Sequence, residues 1–132
     1  MKKRILAMTC VLTMLMCGST CFAKGIAFQI TRSEGVKQVT TNTKDLSGSV
    51  WYISNLDTTY SNFKEDKDVI GFKVKNTSDA SVSAYHTFSK FVYRYSLPYT
   101  STPAQGATLR LNTQIDSKGQ YNTIKFEGEW IS

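Results

Sequence analysis

No cysteine follows Cys21 in this chain of 132 residues. Cys10 and Cys17 also precede Lys24, so a protein that begins at Lys24 has no disulfide framework, thiolate zinc site or thiol nucleophile. Histidine is almost as scarce. His86 is the only one, and any Ser-His-Asp triad would have to be built on it. No nucleophile-elbow sequence surrounds a serine, and a zinc site would need further imidazole or thiolate ligands. The cations are spread out, without a block of about five or six like charges, so the clustered footprint of a nucleic-acid binder is missing. No Pro/Gly/Ser-rich linker, charge boundary or repeat divides residues 24–132, and their length suits one domain with one core.

What is present begins with a leader. Met1-Lys2-Lys3-Arg4 is cationic, Ile5 to Met16 is apolar, and Ser19-Thr20-Cys21-Phe22-Ala23 ends in a small residue. That is the layout of a secretory signal peptide cut after Ala23. The apolar run falls short of the roughly 20 residues a spanning helix needs, and neither Cys17 nor Cys21 has the preceding residues of a lipid-modified cysteine. The expected organisation is therefore a helical signal peptide over 1–23 and a single secreted, extracellular domain over 24–132, touching the membrane only before cleavage. Losing Lys2, Lys3 and Arg4 reduces 16 basic residues to 13 against 10 acidic ones. The working protein would carry +3, a mild attraction to an anionic envelope.

Apolar residues recur with a period of two. Ile26, Phe28 and Ile30 alternate with polar neighbours, as do Ile70, Phe72 and Val74, and Leu109 and Leu111. Val50-Trp51-Tyr52-Ile53 is rich in β-formers, and Ile124, Phe126, Gly128 and Trp130 share one parity. These are half-buried strands. Asn76-Thr77-Ser78-Asp79 closes one strand, and Asp116-Ser117-Lys118-Gly119-Gln120 predicts a hairpin between the last two, with Gly119 in the left-handed position. Asp57 to Asp68 reads as an exposed loop. Ala84 to Tyr95 fits two periods; its aromatic content favours a strand over Lys90–Ser96, with room for a helical turn before it. The predicted fold is all-β, an antiparallel two-sheet sandwich with jelly-roll-like connectivity.

Candidate chemistry is sparse. His86, flanked by Tyr85 and close to Phe88, reads as a partly buried structural histidine. Ser61-Asn62-Phe63-Lys64 has the Ser-x-x-Lys spacing of some acyl-transfer enzymes without their other elements. Glu127 and Glu129 share one side of the last strand, whereas glycoside hydrolysis needs carboxyls facing each other across a cleft; they are expected to form a solvated face. Glu65, Asp66 and Asp68 could offer oxygen to calcium, but Lys64 and Lys67 interrupt them and no EF-hand loop fits. Asn76-Thr77-Ser78 is a glycosylation pattern with meaning only in a glycosylating pathway. No catalytic, cofactor or metal residue is assigned, and an enzyme is not expected.

The signal peptide, the early Phe28 strand, the Thr-rich Val39-Thr40-Thr41-Asn42-Thr43, Gly106-Ala107-Thr108-Leu109-Arg110-Leu111 and Phe126-Glu127-Gly128-Glu129-Trp130 stand together in this chain. In these segments it resembles a family of small secreted proteins of Gram-positive bacteria, a family of unknown function. The resemblance implies a secreted β domain and no activity.

Two functions fit these features. The first is a non-catalytic binding domain acting at or outside the cell envelope, on a glycan or another protein. Trp51, Tyr93, Tyr95, Tyr99 and Trp130 would be its recognition surface wherever they are exposed, although the parity of the last strand turns Phe126 and Trp130 inward. The alternative is a secreted bacteriocin-like or toxin-associated antagonist.

Overall fold

The computed structural model describes residues 23–45, 47–56, 61–63 and 67–132. Residues 1–22 of the leader, with its three cysteines, therefore lie outside the described residues, as do Lys64, Glu65 and Asp66. Eight strands follow: β1 Lys24–Thr31, β2 Lys37–Thr43, β3 Val50–Asn55, β4 Ile70–Asn76, β5 His86–Phe88, β6 Tyr95–Pro98, β7 Thr108–Ile115 and β8 Thr123–Ile131. They form two antiparallel sheets, ordered β1-β8-β3-β6 and β2-β7-β4-β5. Among the described residues no helix is long and apolar enough to cross a membrane.

The pairing is nested. β1 pairs with β8, β2 with β7, β3 with β6 and β4 with β5, and the contacts β3–β8 and β4–β7 join these pairs into sheets. Only the β4–β5 connection stays within one sheet.

That path corrects the expected C-terminal hairpin. β7 and β8 belong to different sheets, and residues 116–122 form an arch between them. The Asp116 side chain accepts from Lys118 N at 3.0 Å. Gly119 N and Gln120 N donate to Asp116 O and Lys67 O, and the Arg32 guanidinium donates to the carbonyls of Asp116, Gly119 and Tyr121. Gly119 is not left-handed; the positive-φ glycines are Gly35 and Gly106. Its small size matters for another reason, since a Cβ there would stand 2.9 Å from Val69 N.

The strand expected over Lys90–Ser96 is also displaced. β5 ends at Phe88 and β6 starts at Tyr95, because the chain must cross between sheets here. Arg94 turns with φ 45°. Asn55 pairs its side-chain oxygen with Val92 N, and the Ser54 hydroxyl accepts from Arg94 N at 2.8 Å. The helical turn allowed over Ala84–Ser89 is absent, and β5 occupies that stretch.

The inward faces meet in one core. Ile26, Phe28, Ile30, Ile70, Phe72, Val74, Leu109, Leu111, Ile124 and Phe126 are buried, in the alternation that the sequence shows. Phe126 stacks on Phe28 at 5.3 Å and meets Phe72 edge-on at 5.2 Å, the offset and T-shaped geometries that ring quadrupoles favour. Phe63 joins them. It is buried along with Asp68, so the expected exposed loop over Asp57–Asp68 contributes to the interior at both of these positions. One end is closed by Lys44, whose Nζ donates to Gly48 O at 2.8 Å and lies 5.3 Å from the centre of the Tyr99 ring. Burial lowers the pKa of this ammonium.

The outermost strands β1 and β2 protect each other. Lys24 Nζ on β1 donates to Thr41 O on β2, and Lys37 Nζ on β2 donates to Gln29 O on β1. Free edge carbonyls invite pairing with another chain, and lysine at an edge counters this. A bulge between Gln38 and Thr40 further interrupts the regularity of β2.

Candidate functional site

The five aromatic candidates separate by burial. Trp51, Tyr99 and Trp130 are core residues, so these three are withdrawn from the recognition surface. Trp51 and Trp130 occupy inward register positions, paired to Leu97 and Ile53. Tyr99 underlies Lys44, and burial raises its phenol pKa. Tyr93 and Tyr95 remain outside, at 75% and 49% exposure.

Tyr95 stands at the edge where β5 and β6 approach. Its ring meets Phe88 edge-on at 5.6 Å. A cleft of about 220 Å³ opens beside it, lined by His86, Phe88, Lys90, Val92, Tyr95 and Leu97. His86 is half-buried, 6.2 Å from Trp51, and its Nε2 is enclosed without a hydrogen-bond partner. Burial disfavours the imidazolium and lowers the pKa below the ordinary 6.5. As pH falls through 6.5 the unfolded chain therefore takes up this proton first, and stability is lost until the lower folded pKa is passed. Urea midpoints compared at about pH 8 and about pH 5.5 should fall less in His86→Gln than in the unsubstituted protein. Equal falls would show that His86 titrates alike in both states.

The other candidates are spread over the molecule. Ser61 donates its hydroxyl to Lys125 O at 3.2 Å, which ties it to β8. Glu127 and Glu129 lie on the outer face of β8, opposite Ala27 and Gly25. They are half-buried instead of fully solvated, because β3 and the chain beyond it run alongside, with Leu56 N donating to Glu127 O. Asn76 uses its side-chain oxygen to hold Ala80 N in the turn after β4. Among the described residues no three His, Cys, Asp or Glu side chains are grouped to hold a metal.

A surface that the sequence reading did not single out lies on the second sheet. Its inward residues leave Lys73, Lys75, Arg110, Asn112 and Gln114 facing outward. Lys75 is paired in register with Arg110, Lys73 with Asn112, and Gly71 with Gln114. The strands of this sheet contain no Asp or Glu; the acidic residues of the described strands are Glu127 and Glu129, in the other sheet. A mild net charge is thus concentrated on one face. Linear sequence hid this, since Arg110 is far from Lys73 and Lys75 along the chain and the register alone joins them.

Tyr85 gives this face a wall. Its ring end rests on Gly71, where an added Cβ would overlap it, and its hydroxyl reaches Asp116 Oδ2 at 3.3 Å. Desolvation raises its phenol pKa, so the hydroxyl stays protonated. Val36, itself exposed, lines the same groove. Between them is a volume of about 250 Å³, bordered by Lys73, Lys75, Asn112 and Gln114. Asn112 Oδ1 is enclosed and has no hydrogen-bond partner. Lys75 is shared with Asp79 of the following turn at 3.1 Å, while Lys73 and Arg110 make no ion pair with a described residue. Such a face can hold an anion and hydrogen-bond a polar ligand. No protein-family model matches this chain, and neither a curated protein nor a solved structure matches it.

Proposed function

We propose that this protein is a secreted, non-catalytic binding domain that acts at or outside the cell envelope, with the outer face of its second sheet as the binding surface. Eight strands in two sheets of nested antiparallel pairs support a jelly-roll-like connectivity. That architecture hosts many functions and specifies none. The observation that carries the reading is the charge partition: Lys73, Lys75 and Arg110 share one face with the Tyr85 groove, and the strands beneath them bear no carboxylate. A one-sign patch attracts an anionic surface. Tyr93 and Tyr95 form a second, separate contact surface at the sheet edge, suited to a glycan or protein partner.

The test uses protein purified from medium after expression of the full chain. Its intact mass should correspond to a start at Lys24. It should cosediment with isolated envelope polysaccharide, be released by salt, and leave the polymer at its original length. Retention of residues 1–23, failure to sediment, or shortening of the polymer would overturn the reading. Growth inhibition of a neighbouring species without envelope binding would replace it with the antagonist.

A further inference from the structure

Building on that reading of the second sheet, we infer that its ligand is an acidic polysaccharide whose pyranose rings carry carboxylates, one ring lying in the Tyr85–Val36 groove and its charges on Lys73, Lys75 and Arg110. Three features define this occupant.

The first is electrostatic. Lys75 and Arg110 are directly opposite across the β4–β7 ladder, and like charges so placed repel. Asp79 neutralises only the Lys75 side, from an exposed turn. A carboxylate between the two strands would relieve the repulsion, and Arg110 could take it through two parallel N–H donors. Lys73 repeats the positive charge two residues along β4, about 7 Å away at the rise of a strand. The face therefore presents charge along a line, which suits a polymer better than a lone ion.

The second is shape. The groove holds about 250 Å³, below the roughly 300 Å³ at which drug-sized pockets begin. It accommodates a single ring of a chain that continues over the open sheet. Tyr85 and Val36 supply apolar contact, and a pyranose has an apolar face to place against them. An acyclic polyol phosphate carries the charge without that face, so the two walls would have no counterpart.

The third is the polar lining. Asn112 and Gln114 border the groove, and Gln38 is in register with Asn112 from the other side. Amide side chains both donate and accept, as sugar hydroxyls require. Tyr85 keeps its own hydroxyl engaged with Asp116, which fixes the wall before any ligand arrives.

The experiment is calorimetric titration of the secreted protein with polygalacturonate, with poly(glycerol phosphate) and with dextran. Polygalacturonate should bind, and its affinity should weaken as salt rises. Lys73→Gln combined with Arg110→Gln should lower that affinity by about tenfold or more without lowering the thermal midpoint, since loss of Arg110 relieves its repulsion with Lys75, while Lys125→Gln on the other sheet should leave the affinity unaltered. Tyr85→Phe should retain binding and Tyr85→Ala should lose it. Should Tyr85→Ala unfold, the double variant of the two outward-facing, half-buried cations still decides. Equal binding of poly(glycerol phosphate), binding of dextran alone, or an unaffected double variant would overturn the inference. A protein that sediments with envelopes yet ignores polygalacturonate would sink this ligand and leave the envelope-binding function standing; one that does neither would sink both.

Discussion

Trp130→Ala should lower the unfolding free energy by about 3–5 kcal/mol, the range for removing a large aromatic from a core. The indole is fully buried, and its Nε1 has no hydrogen-bond partner, so two effects oppose each other. Burying 150–250 Å² of aromatic surface at about 25 cal/mol per Å² contributes roughly 4–6 kcal/mol. An orphaned donor costs about 1–3 kcal/mol. Burial wins, and Trp130→Phe, which removes the orphan and keeps most of the ring, should lose far less than the alanine variant. Urea denaturation of the three proteins measures both differences. Domains of this size are stable by only about 5–15 kcal/mol, so the alanine variant would be severely weakened. A fully stable Trp130→Ala would place the ring outside the core.

Gly128→Ala should cost about 3 kcal/mol or more, at or above the upper end for overpacking, although it adds a single methyl group. A Cβ at this position would overlap the carbonyl oxygen of Ser54 and come within 2.7 Å of the Phe126 ring. The first obstacle is backbone of β3, which pairs with β8 and cannot rotate aside as a side chain can. Relief requires the two strands to separate. Gly25, on the other neighbour of β8, supplies the control. Nothing lies within 4 Å of its Cβ position, and alanine there should be neutral or stabilising by up to about 1 kcal/mol through reduced backbone freedom. Thermal midpoints of the two variants should therefore move apart; equal shifts would show that close approach of β3 is not what requires glycine at 128.

The alternation of Ile26-Phe28-Ile30, Ile70-Phe72-Val74 and Ile124-Phe126-Gly128-Trp130 was enough to assign strands and their inward faces, because period two is a local property of a half-buried sheet. Partnership was not local. Asp116 to Gln120 has the composition of a tight turn whether the next strand returns beside the last or crosses to the other sheet, and the crossing is held here by Arg32, more than eighty residues earlier. β2 was read as a Thr-rich segment and not as a strand, since Val39 is its one apolar residue and an edge strand needs little burial. The candidate site shows the same division. Exposed Tyr93 and Tyr95 and buried Trp51 look alike as letters, and the cationic face exists only after register sets Arg110 beside Lys75.

The nested pairing has a consequence for timing. β8 lies between β1 and β3, so β1 is not joined to the β3–β6 pair until β8 is in place. β2 likewise waits for β7. Contacts of such long sequence separation form slowly, on the order of milliseconds to seconds for all-β domains, and no early portion of the polypeptide holds a complete sheet that could lock first. A chain fed N-terminus first through a narrow channel would emerge unable to close its first sheet, and would remain pliable until β8 was through.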